Sequence, residues 1–153
     1  MEKKVLSYYP LPIIGWREYL TLPELGVDLI KAKVDTGARS SAIHATDVEI
    51  VEQSGQKIVR FQLYSQHQSE TDTIIAEAEL FDQREVRNSG GISQLRPVIK
   101  TIVKLGSQSW PIELTLTNRD LMGFPMLLGR EAVRRRFLVD AGGSFLQSQA
   151  HNS

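Results

Sequence analysis

The chain contains no cysteine among its 153 residues, so disulfide bonds and thiolate-ligated metal sites are excluded. Eighteen basic and eighteen acidic residues give a formal net charge of zero, which excludes the global positive field typical of nucleic-acid-binding proteins. No apolar run approaches the roughly 20 residues that a membrane-spanning helix needs. We also expect no signal peptide, because Pro10 and Pro12 interrupt the short apolar run near the N-terminus. These absences predict a cytoplasmic protein with neither nucleic acid nor membrane as a partner.

The sequence also has almost no apolar pattern of helical period. Apolar and polar residues instead alternate in short segments that recur at intervals of about 8–12 residues with glycine-rich turns between them, which predicts an all-β barrel. With 41% hydrophobic residues, the chain suits one globular domain. We predict an N-terminal arm over residues 1–12, a barrel domain over residues 13–146 and a disordered tail over residues 147–153.

Two local patterns predict the secondary structure in the middle of the chain. Residues 48–51 and 58–64 predict a hairpin, because a turn sequence that contains Gly55 lies between them. Residues 65–72 are polar and show no periodicity, and they predict a loop.

An acidic residue ends one of the predicted strands. Before it, apolar side chains alternate with Lys31 and Lys33, which predicts a half-buried strand that ends at Asp35. Gly37 then turns the chain. A carboxylate at a strand end, followed by a small hydroxyl and a glycine, can be held rigidly while its surroundings stay open to a substrate. The sequence Asp-x-Gly also suits an ordinary turn, and this alternative remains open.

A second segment, residues 124–131, carries an apolar strand into Gly129 and Arg130. Together the two segments resemble retroviral-type aspartic proteases, in which an apolar strand leads into Asp-Thr-Gly-Ala and a later apolar-apolar-Gly-Arg segment packs beneath that loop. Further segments resemble a bacterial, retropepsin-like family labelled ATP-dependent zinc proteases: residues 15–18, 22–25, 96–99, 113–120 and 137–140. The resemblance covers residues 13–146 and implies a closed acid-protease barrel with a flap hairpin.

Peptide hydrolysis by activated water requires two carboxylates, and the chain carries one Asp-Thr-Gly sequence. Two aspartates a few ångströms apart share one proton because they cannot both ionise. A symmetric homodimer with Asp35 from each protomer at the two-fold axis is the simplest way to complete the pair. Thr36 then holds the two loops together by hydrogen bonds, and Gly37 lets their backbones approach. Thr36 and Gly37 could equally have structural roles alone.

A glycine-rich tip separates two further predicted strands. Residues 73–86 and 98–105 predict a hairpin, with residues 88–91 between them. The resemblance implies that this hairpin is the flap that folds over bound peptide and excludes water. An ordinary exposed loop is the alternative.

Several arginines point to an acidic peptide or protein as the substrate. Arg39 follows the Asp35 loop, Arg87 and Asn88 flank the tip of the predicted flap, and we expect Arg96 across from Arg87. Guanidinium groups recognise carboxylates by charge-assisted hydrogen bonds, so we predict that these four residues bind substrate. For Arg39 and Arg87, a surface position without substrate contact is an equal alternative. For Arg130 we expect a structural salt bridge. The resembled family has been linked to the trimming of glutamate tails that an ATP-using ligase adds to a ribosomal protein, which implies a functional link to such a ligase.

The sequence predicts no cofactor and no metal site. The histidines, at positions 44, 67 and 151, stand far apart, and neither a His-Glu-x-x-His helix nor a phosphate-binding loop is present. His44 as a metal ligand remains an alternative to a hydrogen-bonded histidine. Three functions therefore stay open: an aspartic peptidase, a module that binds acidic peptides without cutting them, and a metal-dependent hydrolase.

Overall fold

Short β-strands make up most of the chain in the computed structural model, which describes residues 10–67, 70–87, 90–118, 121 and 123–148. A 3-10 turn, Pro23–Leu25, and a short helix α1, Arg130–Val133, connect some of them. The strands are β1 Ile13–Leu22, β2 Val27–Asp35, β3 Ser41–His44, β4 Thr46–Gln53, β5 Gln56–His67, β6 Glu70–Glu79, β7 Asp82–Arg87, β8 Ser93–Leu105, β9 Gln108–Thr117, β10 Met126–Gly129 and β11 Leu138–Ser144. No helix in these described ranges is long and apolar enough to cross a membrane.

The larger sheet closes on itself. Its strand order is β11-β1-β2-β10-β3-β9-β8-β7, and a further pairing of Thr21 with Lys104 joins β1 to β8. Strands β1, β2, β10, β3, β9 and β8 therefore form a closed barrel, which confirms the predicted all-β class. Alternate side chains of each strand fill the interior, so Ile30, Ala32 and Val34 of β2 are buried.

The smaller sheet consists of β4, β5 and β6 and lies against the barrel. The predicted β4–β5 hairpin is confirmed, and Ser54 and Gly55 turn the chain with positive φ angles of 53° and 81°. The prediction of a loop over residues 65–72 is wrong, because β5 continues to His67 and β6 begins at Glu70. Backbone hydrogen bonds between β5 and β6 extend the two strands into this polar segment. The pattern of apolar residues carries no information about such bonds.

The predicted hairpin is present and consists of β7 and β8, and we refer to it as the flap hairpin. Residues 73–86, however, are two strands of different sheets and not one strand. The chain changes sheet between Leu80 and Phe81: the first donates its N–H to Lys57 O at 2.9 Å and the second to Val98 O at 2.9 Å. Neither glycine nor proline marks this change, so the sequence carried no turn signal for it.

A buried carboxylate fastens the C-terminal part of the domain to β1. Glu18 is 0% exposed, and its oxygens accept hydrogen bonds from the backbone N–H groups of Gly15 at 2.7 Å, Leu146 at 2.8 Å and Gln147 at 3.1 Å. The hydroxyl of Ser148 donates a further bond at 2.7 Å. The ordered chain thus extends through the first two residues of the predicted tail. Residues 149–153 and residues 1–9 of the predicted arm lie outside the described residues.

Candidate functional site

Asp35 is the last residue of β2, at the point where the strand leaves the barrel. The alternation that buries Val34 places Asp35 on the outer face, half-buried, and Lys31 and Lys33 share that face. The N–H of Gly37 donates to the Asp35 Oδ1 atom at 3.0 Å. Because this bond fixes the carboxylate from within its own loop, Asp35 is held in one orientation while one side stays open.

The rest of the loop is accessible. Thr36 and Gly37 are exposed, and the N–H of Ala38 donates to Asp35 O at 3.1 Å to close the turn. The structure therefore brings the three predicted catalytic residues together at one exposed turn. Within the described part of the chain, the recorded hydrogen bonds of Asp35 go to backbone groups and not to a second acid.

Strand β10 supports the loop from below through a close backbone contact. Gly129 pairs in parallel register with Asp35, and its N–H donates to the Ser41 hydroxyl at 3.0 Å. A Cβ atom on Gly129 would lie 2.5 Å from Ser40 O and 3.0 Å from Ala38 O. Only glycine therefore permits this approach, which explains physically why Gly follows the apolar strand in the second segment.

Helix α1 continues the support with backbone hydrogen bonds. The N–H of Arg130 donates to Ala38 O at 2.8 Å, and the N–H of Glu131 donates to Arg39 O at 3.1 Å. The guanidinium of Arg130 donates to Gly37 O at 3.2 Å. Arg130 thus contacts the Asp35 loop through a carbonyl group, where we had expected a salt bridge, and its contact is structural.

The predicted substrate-binding residues do not form one cluster. Arg39 is 77% exposed, and its Nε atom lies 3.8 Å from Glu131 Oε2. Arg87 is exposed at the end of β7 and stands opposite Ser93. Asn88 lies outside the described residues.

Arg96 lies farther down the flap than predicted. The expectation that it stands across from Arg87 is wrong, because the register pairs it with Arg84. Its guanidinium donates to the Gln94 side chain. Arg96 also lines a different cavity from Arg39, one bounded by β4 and the base of the flap. The register of a hairpin depends on the length of its tip, which the alternating pattern of the strands does not set.

The structure adds basic residues that sequence reasoning missed. Arg84 and Lys100 line one cavity together with Arg39. Lys100 is exposed on β8, but nothing in the sequence indicates that this face adjoins the segment after the Asp35 loop.

The described residues do not fit a zinc ion. No group of three or more His, Cys, Asp or Glu side chains in the described ranges is arranged to hold a metal. The His44 ring stacks on Tyr64 with centroids 5.8 Å apart, and its buried Nδ1 has no hydrogen-bond partner among the described residues. A single imidazole is not a zinc site, since zinc in proteins takes at least three protein ligands.

Comparisons with known proteins agree on the barrel. Residues 13–150 match the family described as RimB-like, "Retropepsin-like aspartic endopeptidase RimB". A crystal structure of a Legionella pneumophila protein of unknown function has a TM-score of 0.69 and 30% sequence identity, and the match covers 89% of this chain and 98% of that chain.

Two similar proteins carry the name "Probable alpha-L-glutamate ligase". The protein of Shewanella pealeana is 44% identical over 133 residues, and that of Parasynechococcus marenigrum is 45% identical over 132 residues. These matches cover 87% and 86% of this chain but only 29% and 28% of the relatives. The chain thus spans less than a third of the length of the curated relatives that it matches.

Proposed function

Because this chain belongs to the RimB-like family of retropepsin-like aspartic endopeptidases, we propose that it is a homodimeric aspartic peptidase whose catalytic pair consists of Asp35 from each protomer. The position of Asp35 carries this proposal. Its carboxylate ends β2 and is oriented by the Gly37 N–H, while Thr36 and Gly37 remain exposed. An exposed turn of this kind can meet its own copy across a two-fold axis.

The paired carboxylates hydrolyse a peptide bond through an activated water molecule. Because two negative charges a few ångströms apart repel each other, the pair holds one shared proton. The ionised Asp35 removes a proton from water, which attacks the carbonyl carbon, and the protonated Asp35 of the second protomer donates to the carbonyl oxygen. The tetrahedral intermediate then breaks its C–N bond as a proton passes to the leaving amine. Thr36 bonds across the two loops, and Gly37 lets their backbones approach.

The hairpin of β7 and β8 acts as the flap over the bound peptide. Its residues Ile92 and Leu95 are 63% and 61% exposed. Closure over a substrate would remove these apolar side chains from water and exclude solvent from the catalytic pair. The flap thus strengthens the electrostatic interactions on which proton sharing depends.

The substrate of this peptidase is an acidic segment, with a glutamate tail as the leading candidate. Arg39 and Arg87 present exposed guanidinium groups, and Arg96 and Asn88 complete the proposed binding set. The two ligase-named relatives contain a segment like this chain, which supports a functional link to an ATP-dependent glutamate ligase. A peptidase that trims glutamate tails would work beside such a ligase in the cytoplasm.

Mass spectrometry of a glutamate-tailed peptide tests the proposal. We expect the protein to shorten this peptide, to leave an otherwise identical glutamine-tailed peptide intact and to keep its activity in EDTA. Association without products at any pH would favour a non-catalytic binding module. Activity that EDTA removes and zinc restores would favour a metal-dependent hydrolase.

Dilution tests whether the active species is a dimer. If each protomer supplies half of the acid pair, activity per protomer must fall when the protein is diluted below its dimer dissociation constant. We expect the loss of specific activity to follow the dimer-to-monomer transition measured by analytical ultracentrifugation. Constant specific activity across that transition would contradict a shared Asp35 pair.

A further inference from the structure

A charged cavity of about 430 Å3 lies beside the Asp35 loop. Its walls come from the segment after that loop, from β7, β8 and β9, and from α1. Pro111, Ile112 and Ala132 form its apolar part. Three basic side chains, those of Arg39, Arg84 and Lys100, and two acidic ones, those of Glu113 and Glu131, line the remainder.

Arg84, one of the three basic residues, is neutralised by two ion pairs. Its Nη2 atom lies 2.8 Å from Glu113 Oε1, and its Nε atom lies 3.0 Å from Asp82 Oδ2. The hydrogen bond from Arg84 holds the pKa of Asp82 below its ordinary value, so this partner stays ionised at neutral pH. Arg84 is therefore already paired with two carboxylates, and we do not assign it to the binding of a third.

The other two cations are weakly neutralised. Arg39 lies 3.8 Å from Glu131, beyond hydrogen-bond distance, and Glu131 also lies 3.9 Å from Arg134. Lys100 is opposite Glu113 in the β8–β9 register, but among the described residues no carboxylate lies within 4.0 Å of its Nζ atom. That atom lies 4.2 Å from the centre of the Phe81 ring. Because Arg39 and Lys100 line the same cavity, a carboxylate bound in this cavity would be attracted by both.

The cavity is within reach of a peptide bound at Asp35. Arg39 follows Asp35 by four residues, so their Cα atoms are at most about 14 Å apart. An extended peptide advances about 3.4 Å per residue, so the backbone of Arg39, which forms one wall of the cavity, lies within about four substrate residues of Asp35. The backbone bond of Glu131 to Arg39 O, at 3.1 Å, fixes this wall relative to the loop.

We propose that Arg39 and Lys100 form a binding site for one glutamate side chain of the substrate, a few residues from the bond that is cut. This site deepens the proposed peptidase function and rests on it. The apolar wall contacts the methylene groups of the glutamate, while the two cations bind its carboxylate. The site makes cleavage depend on the number of acidic residues in the tail and not only on those at the scissile bond.

The substitution Lys100→Met tests the site, with Lys104→Met as its matched control. Both lysines are exposed on β8 and each substitution removes one positive charge, but Lys104 does not line the cavity. Loss of one charge-assisted hydrogen bond to the substrate weakens its binding. We expect Lys100→Met to raise KM for a long glutamate tail about tenfold with kcat unchanged, and Lys104→Met to match the wild type.

Peptides that carry a single Glu→Gln change along the tail locate the contact. At one tail position remote from the scissile bond, Glu→Gln in the peptide should raise the KM of the wild type about tenfold. The same peptide change should not raise the KM of Lys100→Met further. Equal KM values for the two lysine variants would overturn the inference. Competition by free glutamate against the wild type, lost in Lys100→Met, would instead assign the site to a free amino acid.

Calorimetry with the Asp35→Asn protein separates this site from the peptidase function. If adding Lys100→Met to this protein weakens its binding of the intact tailed peptide about tenfold, the proposed glutamate site is supported. This holds even if the wild type does not cleave the peptide. The opposite result is cleavage by the wild type and equal peptide binding by Asp35→Asn and by Asp35→Asn/Lys100→Met. It would support the peptidase function and contradict the proposed glutamate site.

Discussion

Asp35→Asn should reduce kcat for a glutamate-tailed peptide by at least about a thousandfold, since proton transfer by a positioned carboxylate contributes about 10²–10⁴ and the proposed homodimer would lose both members of its acid pair. An asparagine amide can neither take up nor release the proton at neutral pH. Its carbonyl oxygen can still accept the Gly37 N–H, so the turn and the dimer should persist. Initial rates by mass spectrometry give the loss, and circular dichroism and analytical ultracentrifugation check fold and dimer.

Asp140→Asn is a closely matched control. Asp140 Oδ1 accepts the N–H of Gly142 at 3.0 Å, the same local geometry as that of Asp35 and Gly37. It lies in β11, in an exposed part of the chain. We expect this variant to keep wild-type activity. If Asp35→Asn cleaves the peptide at the same rate as Asp140→Asn, Asp35 is not a catalytic residue.

Glu18→Ala should strongly destabilise the fold, because Glu18 is fully buried and hydrogen-bonded to two distant parts of the chain. It removes the acceptor of three backbone N–H groups, those of Gly15, Leu146 and Gln147. A buried donor without a partner costs about 1–3 kcal/mol, and of the three bonds that of Gly15 is buried while those of Leu146 and Gln147 are partly buried. We therefore expect the free energy of unfolding to fall by about 3 kcal/mol. Urea denaturation followed by circular dichroism measures it.

Two further variants make this result interpretable. Glu24→Ala removes an exposed glutamate and should change the free energy of unfolding by less than about 0.5 kcal/mol. Glu18→Gln keeps one carbonyl oxygen and should give an intermediate loss, which can still be measured if Glu18→Ala does not fold. Equal stability of Glu18→Ala and Glu24→Ala would show that the buried carboxylate does not hold the C-terminal segment.

Local chemistry made part of the site predictable. The alternation around Lys33 places Asp35 at a strand end, and Gly37 marks the turn, so the position of the carboxylate follows from neighbouring residues. The same holds for the β4–β5 hairpin, where Gly55 supplies the turn. In both cases the signal lies within a few residues of the feature that it predicts.

Features that depend on pairing between distant segments were not predictable from the residues alone. Nothing near Gly129 indicates that β10 lies in parallel beside β2, and only the family resemblance suggested it. The register that places Arg96 opposite Arg84 depends on the length of the flap tip. The cavity that Lys100 and Arg39 line together requires β8, α1 and the segment before β3 to be brought together. Cavities of this kind arise from tertiary structure and leave no periodic pattern.

The support of the Asp35 loop by Arg130 has a consequence for biosynthesis. The two bonded residues, Arg130 and Gly37, are 93 positions apart in sequence. Contacts of such long sequence separation form late, because the intervening chain must first be ordered. On the ribosome, the loop therefore cannot adopt its final geometry until the chain has emerged past Arg130. The proposed peptidase activity should therefore be absent from a nascent chain that has not yet emerged past Arg130.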